Sequence, residues 1–131
     1  MLSYPNFIAM QNRTRDSDVK DVARSLRTSV EAYKGLHSGE RPVNVREVEG
    51  LLPEKIKNQK NPFNHKQTYN FAGKGLVDGK PTSVGQVGYI APSSISDPYV
   101  IEIYPKREYD SFSITEKVVK IQGDSSSSKR P

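Results

Sequence analysis

Neither cysteine nor tryptophan occurs in this chain of 131 residues. The first absence excludes a disulfide framework and any thiolate metal site, and leaves the redox compartment open. Long apolar runs are missing as well. No stretch could cross a bilayer, and the start has neither the charged nor the apolar region of a secretory signal. Apolar residues make up 34% of the chain and the mean hydropathy is −0.71. That favours a thin core, one sheet face against one helix, over a thick layered one. No block of one charge stands out, because the net charge of +5 is spread along the whole length. An ordinary soluble surface is the stronger reading, and a weak attraction to nucleic acid or an anionic surface the lesser one. One domain is expected at this length.

What is present is a long helical pattern from Asn6 to Lys34. Val19, Val22, Ala23, Leu26, Val30 and Tyr33 recur at gaps of one, three and four, one stripe of a helix with 3.6 residues per turn. Lys20, Asp21, Arg24 and Arg27 fall off it, so the helix has a wet outer side. Upstream, Gln11 to Ser17 is polar on every side, and Tyr4, Phe7, Ile8 and Met10 turn apolar again. Such a helix is roughly 40 Å long, too long for a body with a radius of gyration near 13 Å to cover. Its C-terminal half should be packed and its N-terminal half should project with an apolar tip that includes Leu2. The bland alternative is a frayed terminus with a few chance apolar residues.

Pro5 suits the first turn, after Ser3 or Tyr4, and Gly35 is placed to stop the helix beside Lys34. Asn44 with Glu47 three residues on reads as a capping box, opening a short second helix through Val45, Val48 and Leu52 that Pro53 ends. Glu54 to Asn64 is polar, with Pro62 and Phe63 as its anchor. From Gln67 the period becomes two. Tyr69 and Phe71 begin a strand, then Gly73, Gly75 and Gly79 mark a loop or hairpin. Val87, Tyr89 and Ala91 share a strand face, as do Tyr99, Ile101 and Ile103, with Glu102 opposite. Lys106 to Asp110 is a charged turn. Phe112 and Ile114 start a last strand, whose later residues Val119 and Ile121 have the opposite parity and imply a bulge near Glu116. The Ser-rich tail 123–131 has nothing to bury and is expected to be disordered. The expected fold is therefore α+β: helix 1–34, then a loop region and a three- or four-stranded antiparallel sheet over 35–122, with the helix on one face.

Catalytic signatures are missing. There is no Walker A loop, HExxH pair or GxSxG elbow, and no nucleophile–base pair can be named. Gly73-Lys74-Gly75 lacks the helix start that a phosphate cradle needs. His37 and His65 lie in polar loops and read as solvated. Asp16 and Asp18 are spaced like the opening of a calcium loop, but Asp21 occupies the required glycine position and Arg27 that of the bidentate Glu. A solvated helix face, with Asp16 paired to Lys20, is the simpler reading. Asn12-Arg13-Thr14 is formally a glycosylation sequon but falls inside the helix. Tyr104 with Lys106 and Arg107 is the one aromatic–basic cluster, a candidate ligand edge for single-stranded nucleic acid.

The segment Tyr4-Pro5-Asn6-Phe7-Ile8-Ala9-Met10-Gln11-Asn12-Arg13, with Val19-Lys20 and Val30-Glu31-Ala32-Tyr33, resembles type IV pilins and type II secretion pseudopilins. Gly39-Glu40-Arg41-Pro42, Leu51-Leu52-Pro53, Asn61-Pro62-Phe63-Asn64 and Gly85-Gln86-Val87-Gly88-Tyr89 resemble further family elements more loosely. Arg41 stands where the family has Tyr, and the Asp-Gly signature near the end of the major pseudopilins is missing, so no metal is carried over. The resemblance implies a filament subunit whose apolar membrane half-helix lies upstream of this stretch or, as the lesser alternative, on another chain. It implies partners that are copies of itself and related pilins, and a passage from inner membrane to periplasmic or cell-surface filament. Phe7, Ile8, Gln11, Asn12, Arg13 and Arg15 would form the neck that meets neighbouring subunits, and no cofactor is implied. A minor pilin or an extracellular binding module, an adhesin or DNA-uptake component, is the alternative.

Overall fold

The computed structural model describes residues 4–94 and 96–117, with side chains from Phe7 onward. The expected reversal of parity at Val119 and Ile121, the apolar Leu2 and the 123–131 stretch lie outside those residues.

A 33-residue helix, α1 (Tyr4–Leu36), is the spine, about 50 Å long. Val19, Val22, Ala23, Leu26 and Val30 are fully buried along it, as their spacing predicts, and Tyr33 is half-buried at the margin of the same cluster. Gly35 does not stop the helix. The chain turns two residues past its end, where Ser38 and Gly39 take positive φ and the Gly39 N–H donates to the Lys34 carbonyl at 2.8 Å. A 3₁₀ helix follows (Val45–Leu51), capped by Asn44, whose side chain accepts from the Glu47 N–H. It ends before Leu52, and Pro53 opens a one-turn helix, α2 (Glu54–Lys57). The Glu47 carboxylate departs from the capping box. It reaches the Tyr33 hydroxyl at 2.7 Å and the Val43 N–H.

A hairpin comes next, β1 (Lys60–Asn61) with β2 (Asn64–Thr68). The expected strand through Tyr69 and Phe71 is instead a turn. Tyr69 drops into the core and its hydroxyl donates to the Gly85 carbonyl at 2.7 Å, while the Phe71 N–H goes to the Glu49 carboxylate. The main sheet then runs β3 (Leu76–Asp78), β4 (Val87–Ile90), β5 (Val100–Ile103) and β6 (Ser113–Thr115), in that spatial order. The two later pairs are antiparallel, as expected, but β3 and β4 are parallel. Residues 79–86 make that return between glycines at positive φ, Gly79 and Gly85. A Cβ at Gly85 would strike the buried Asn61 side chain. Asn61 in turn bonds Gln67 at 2.8 Å and the Val84 carbonyl at 3.0 Å, tying the hairpin to this loop.

The core is a single layer between α1 and the sheet. Val87, Tyr89, Tyr99, Ile101 and Ile103 face Leu26 and its neighbours, and Val45, Val48 and Leu52 close one side. Tyr89 and Tyr99 lie 5.8 Å apart, centroid to centroid. Each buried phenol has a fixed acceptor, the Pro42 carbonyl for Tyr89 at 2.8 Å and Glu31 for Tyr99 at 2.5 Å, as buried hydroxyls require.

Candidate functional site: the helix neck and the loop that grips it

Upstream of Arg15 the head covers little of α1. Phe7 is 46% exposed, Ile8 37% and Met10 53%. Gln11 and Asn12 are half-buried and Arg13 is exposed. Arg15 is half-buried with its guanidinium 6.0 Å from the Phe63 ring centre, and Phe63 is partly buried against the core, as the anchor of its segment is expected to be. Asn12 sits within the helix, and the Thr14 hydroxyl donates to the Met10 carbonyl at 3.1 Å.

Asp16 is not on a solvated face. It is fully buried and accepts the backbone N–H groups of Lys106 at 2.8 Å and Arg107 at 3.1 Å. Burial pushes its carboxyl above the ordinary range, against the pull of those two donors. Lys20 pairs with Asp110 instead, at 3.7 Å. Arg107 folds inward, its Nε 3.4 Å from Asp110, its guanidinium 4.1 Å from the Tyr109 ring centre and Nη1 toward the Ala9 carbonyl at 3.5 Å. The turn 105–110 is thus a bracket clasping the neck. Of the expected ligand edge, Tyr104 and Lys106 stay exposed, while Arg107 is taken up by the bracket. Replacing Asp16 with Ala strips two buried N–H groups of their acceptor and should cost about 2–3 kcal/mol. Asp16→Asn, which keeps one oxygen, should cost less. Thermal melting checks the order, and equal melting of all three chains would contradict the bracket.

A second polar centre lies at the other end of α1. Glu116 is buried and receives Lys34 Nζ at 2.5 Å, Arg41 at 3.0 Å and the Tyr99 N–H at 3.3 Å. Burial acts to raise the Glu116 carboxyl, but the donors from Lys34, Arg41 and Tyr99 together hold it below the ordinary range. Burial likewise acts to lower the Lys34 ammonium, and its bonds to Glu116 and Glu31 more than reverse that. The sequence marks Arg41 only as a departure from a motif and Glu116 only as a bulge position. A lone Glu at a strand end gives no sign that two cations converge on it.

His37 stacks on Tyr33 at 3.9 Å and its Nδ1 meets the Tyr33 carbonyl at 2.9 Å. His65 is exposed on β2. Gly73-Lys74-Gly75 is a tight turn whose Gly75 N–H donates to the Thr68 carbonyl at 2.9 Å. Among the described residues no group of three His, Cys, Asp or Glu is placed to hold a metal ion, and no helix is long and apolar enough to cross a membrane. No family model, no curated protein and no solved structure matches the chain. The geometry sets out an anchored spine with an uncovered apolar end.

Proposed function

We propose that the chain is a structural subunit of a type IV pilus or type II secretion pseudopilus filament. The observation that carries this is the neck: α1 runs past the head and presents Phe7, Ile8 and Met10 to water. Such side chains stay partly in water in a free head and become fully useful when the helix enters a bundle with others. The motif resemblance over residues 4–34 supports the same reading. Copies of itself and related pilins are then the partners, and the inner membrane followed by a periplasmic or cell-surface filament is the location. The reading assigns no catalysis and no cofactor.

The alternative, a minor pilin or binding module using the Tyr104 edge, gains nothing from an Arg107 that is engaged internally. The test is electron microscopy of sheared surface and periplasmic fractions from cells expressing the gene. Fibres containing the chain are expected, and Ile8→Asp should abolish them while leaving the melting of the head unchanged. Recovery of the protein only as a free cytosolic monomer would overturn the proposal.

A further inference from the structure

Toward the C-terminal end of α1, Arg27 and Glu31 face β6 across a cavity of about 240 Å³. Tyr99 and Ile114 form its apolar wall, with Thr115, Glu116 and Lys117 at the strand side. Sites for drug-sized ligands hold about 300–1,000 Å³, so an occupant of this one is small. The carboxylate oxygens along the cavity are already in use. Glu31 accepts from Lys34 at 3.3 Å through each oxygen, and Oε2 also takes the Tyr99 hydroxyl. On Glu116, Oε2 takes Lys34 and Arg41, while Oε1 takes Arg41 and the Tyr99 N–H. Two cations on the same cavity are not in use. Among the described residues the exposed side chains of Arg27 and Lys117 form no ion pair and no hydrogen bond.

We infer that this cavity binds a small phosphate monoester, its phosphoryl group between Arg27 and Lys117 and its organic part against Tyr99 and Ile114. A guanidinium presents paired N–H donors that match two oxygens of one phosphoryl group. The Lys117 ammonium and the Thr115 hydroxyl are donors for the third. Charge selects the ligand class. A phosphate monoester carries about −1.5 to −2 at pH 7, close to the sum of the two unpaired cations. A carboxylate brings one charge and two oxygens, and leaves a donor group without a partner. Glu31 does not repel the ligand unopposed, because Lys34 lies 3.3 Å from both of its oxygens. The cavity is about 30 Å along α1 from Phe7, so it is separate from the neck and does not depend on assembly.

NMR titration of the full chain at constant ionic strength tests the site, with phenyl phosphate, inorganic phosphate, benzoate and chloride as probes. Phenyl phosphate should give saturable shifts at the Tyr99, Ile114 and Thr115 amides, at several-fold lower concentration than inorganic phosphate or benzoate. Chloride should give none. Arg27→Gln and Lys117→Gln should each weaken binding about tenfold, as loss of a charge-assisted hydrogen bond implies. Both side chains are exposed, so both variants should keep the parental melt. Arg24→Gln removes a cation that is paired with Asp21 outside the cavity, and should leave binding unchanged. Benzoate binding as tightly as phenyl phosphate would overturn the phosphate assignment. Shifts that never saturate, that persist in Arg27→Gln and Lys117→Gln, or that Arg24→Gln weakens equally would overturn the site itself.

Discussion

Leu26→Asp unfolds the head. Leu26 is fully buried in the middle of the α1 stripe, among side chains from both β4 and β5. Truncating a buried Leu alone costs about 2–5 kcal/mol, and a carboxylate with no partner adds several more through lost hydration. A domain of this kind has about 5–15 kcal/mol in total, and a core one layer thick gives little room for rearrangement. The expected result is loss of the near-UV signal of the fixed tyrosines Tyr69, Tyr89 and Tyr99 and loss of a cooperative melt. Much of the α1 signal should go too, since a helix stripped of its packing is marginal in water. Thr28→Asp, two residues on and exposed, is the control and should melt within about 0.5 kcal/mol of the parent. A Leu26→Asp chain with parental melting would mean that the stripe does not hold the head.

The second large effect is at Glu116. Glu116→Ala removes the buried carboxylate on which Lys34 and Arg41 converge, and breaking a buried ion pair from one side costs about 3–5 kcal/mol. Glu31, already 3.3 Å from Lys34, offsets part of that, so the lower end is expected. Acid tests the same centre. The Glu116 carboxyl is held below its ordinary 4.5 in the folded chain. Its stabilisation is therefore complete above that value and is lost as pH falls below it through the folded-state value. Lys34 is held above its ordinary 10.5, so its share is complete below that pH and disappears as pH rises further. Asp16 works the other way, because its carboxyl is raised above 3.8 by burial and acidification relieves a cost. Glu116→Gln should accordingly flatten the acid limb of a stability–pH curve, and Asp16→Asn should steepen it. Acid limbs unchanged in Glu116→Gln would show that the carboxylate is not charged within this network.

The stripe of α1 was readable because a helix repeats its buried face locally, and Val19 to Val30 state that repeat plainly. Alternation likewise placed Val87 with Tyr89 and Tyr99 with Ile101 and Ile103 on inward faces. Tyr69 and Phe71 misled for a local reason. Their spacing of two is a strand's, but the Tyr69 hydroxyl and the Phe71 N–H are each satisfied by partners elsewhere in the chain, and the backbone turns between them. Gly35 had the position of a helix stop, yet the left-handed turn was taken by Ser38 and Gly39. The parallel pairing of β3 with β4 could not be read at all, since nothing in either strand's own residues records which neighbour it joins.

The polar centres show the same limit more sharply. Asp16 had the company of a solvated helix face, with Lys20 four residues on, and what buried it was a loop some ninety residues away. Arg107 reads as part of a ligand edge with Tyr104 and Lys106, but Asp110 and the neck draw it in. By itself the sequence determined an amphipathic spine, an uncovered tip and an α+β order, because periodicity and turn chemistry act between near neighbours. Only the tertiary structure decided which charges are buried and which edges pair. Those outcomes depend on groups brought together from distant parts of the chain, and desolvation sets their energies only once they have met.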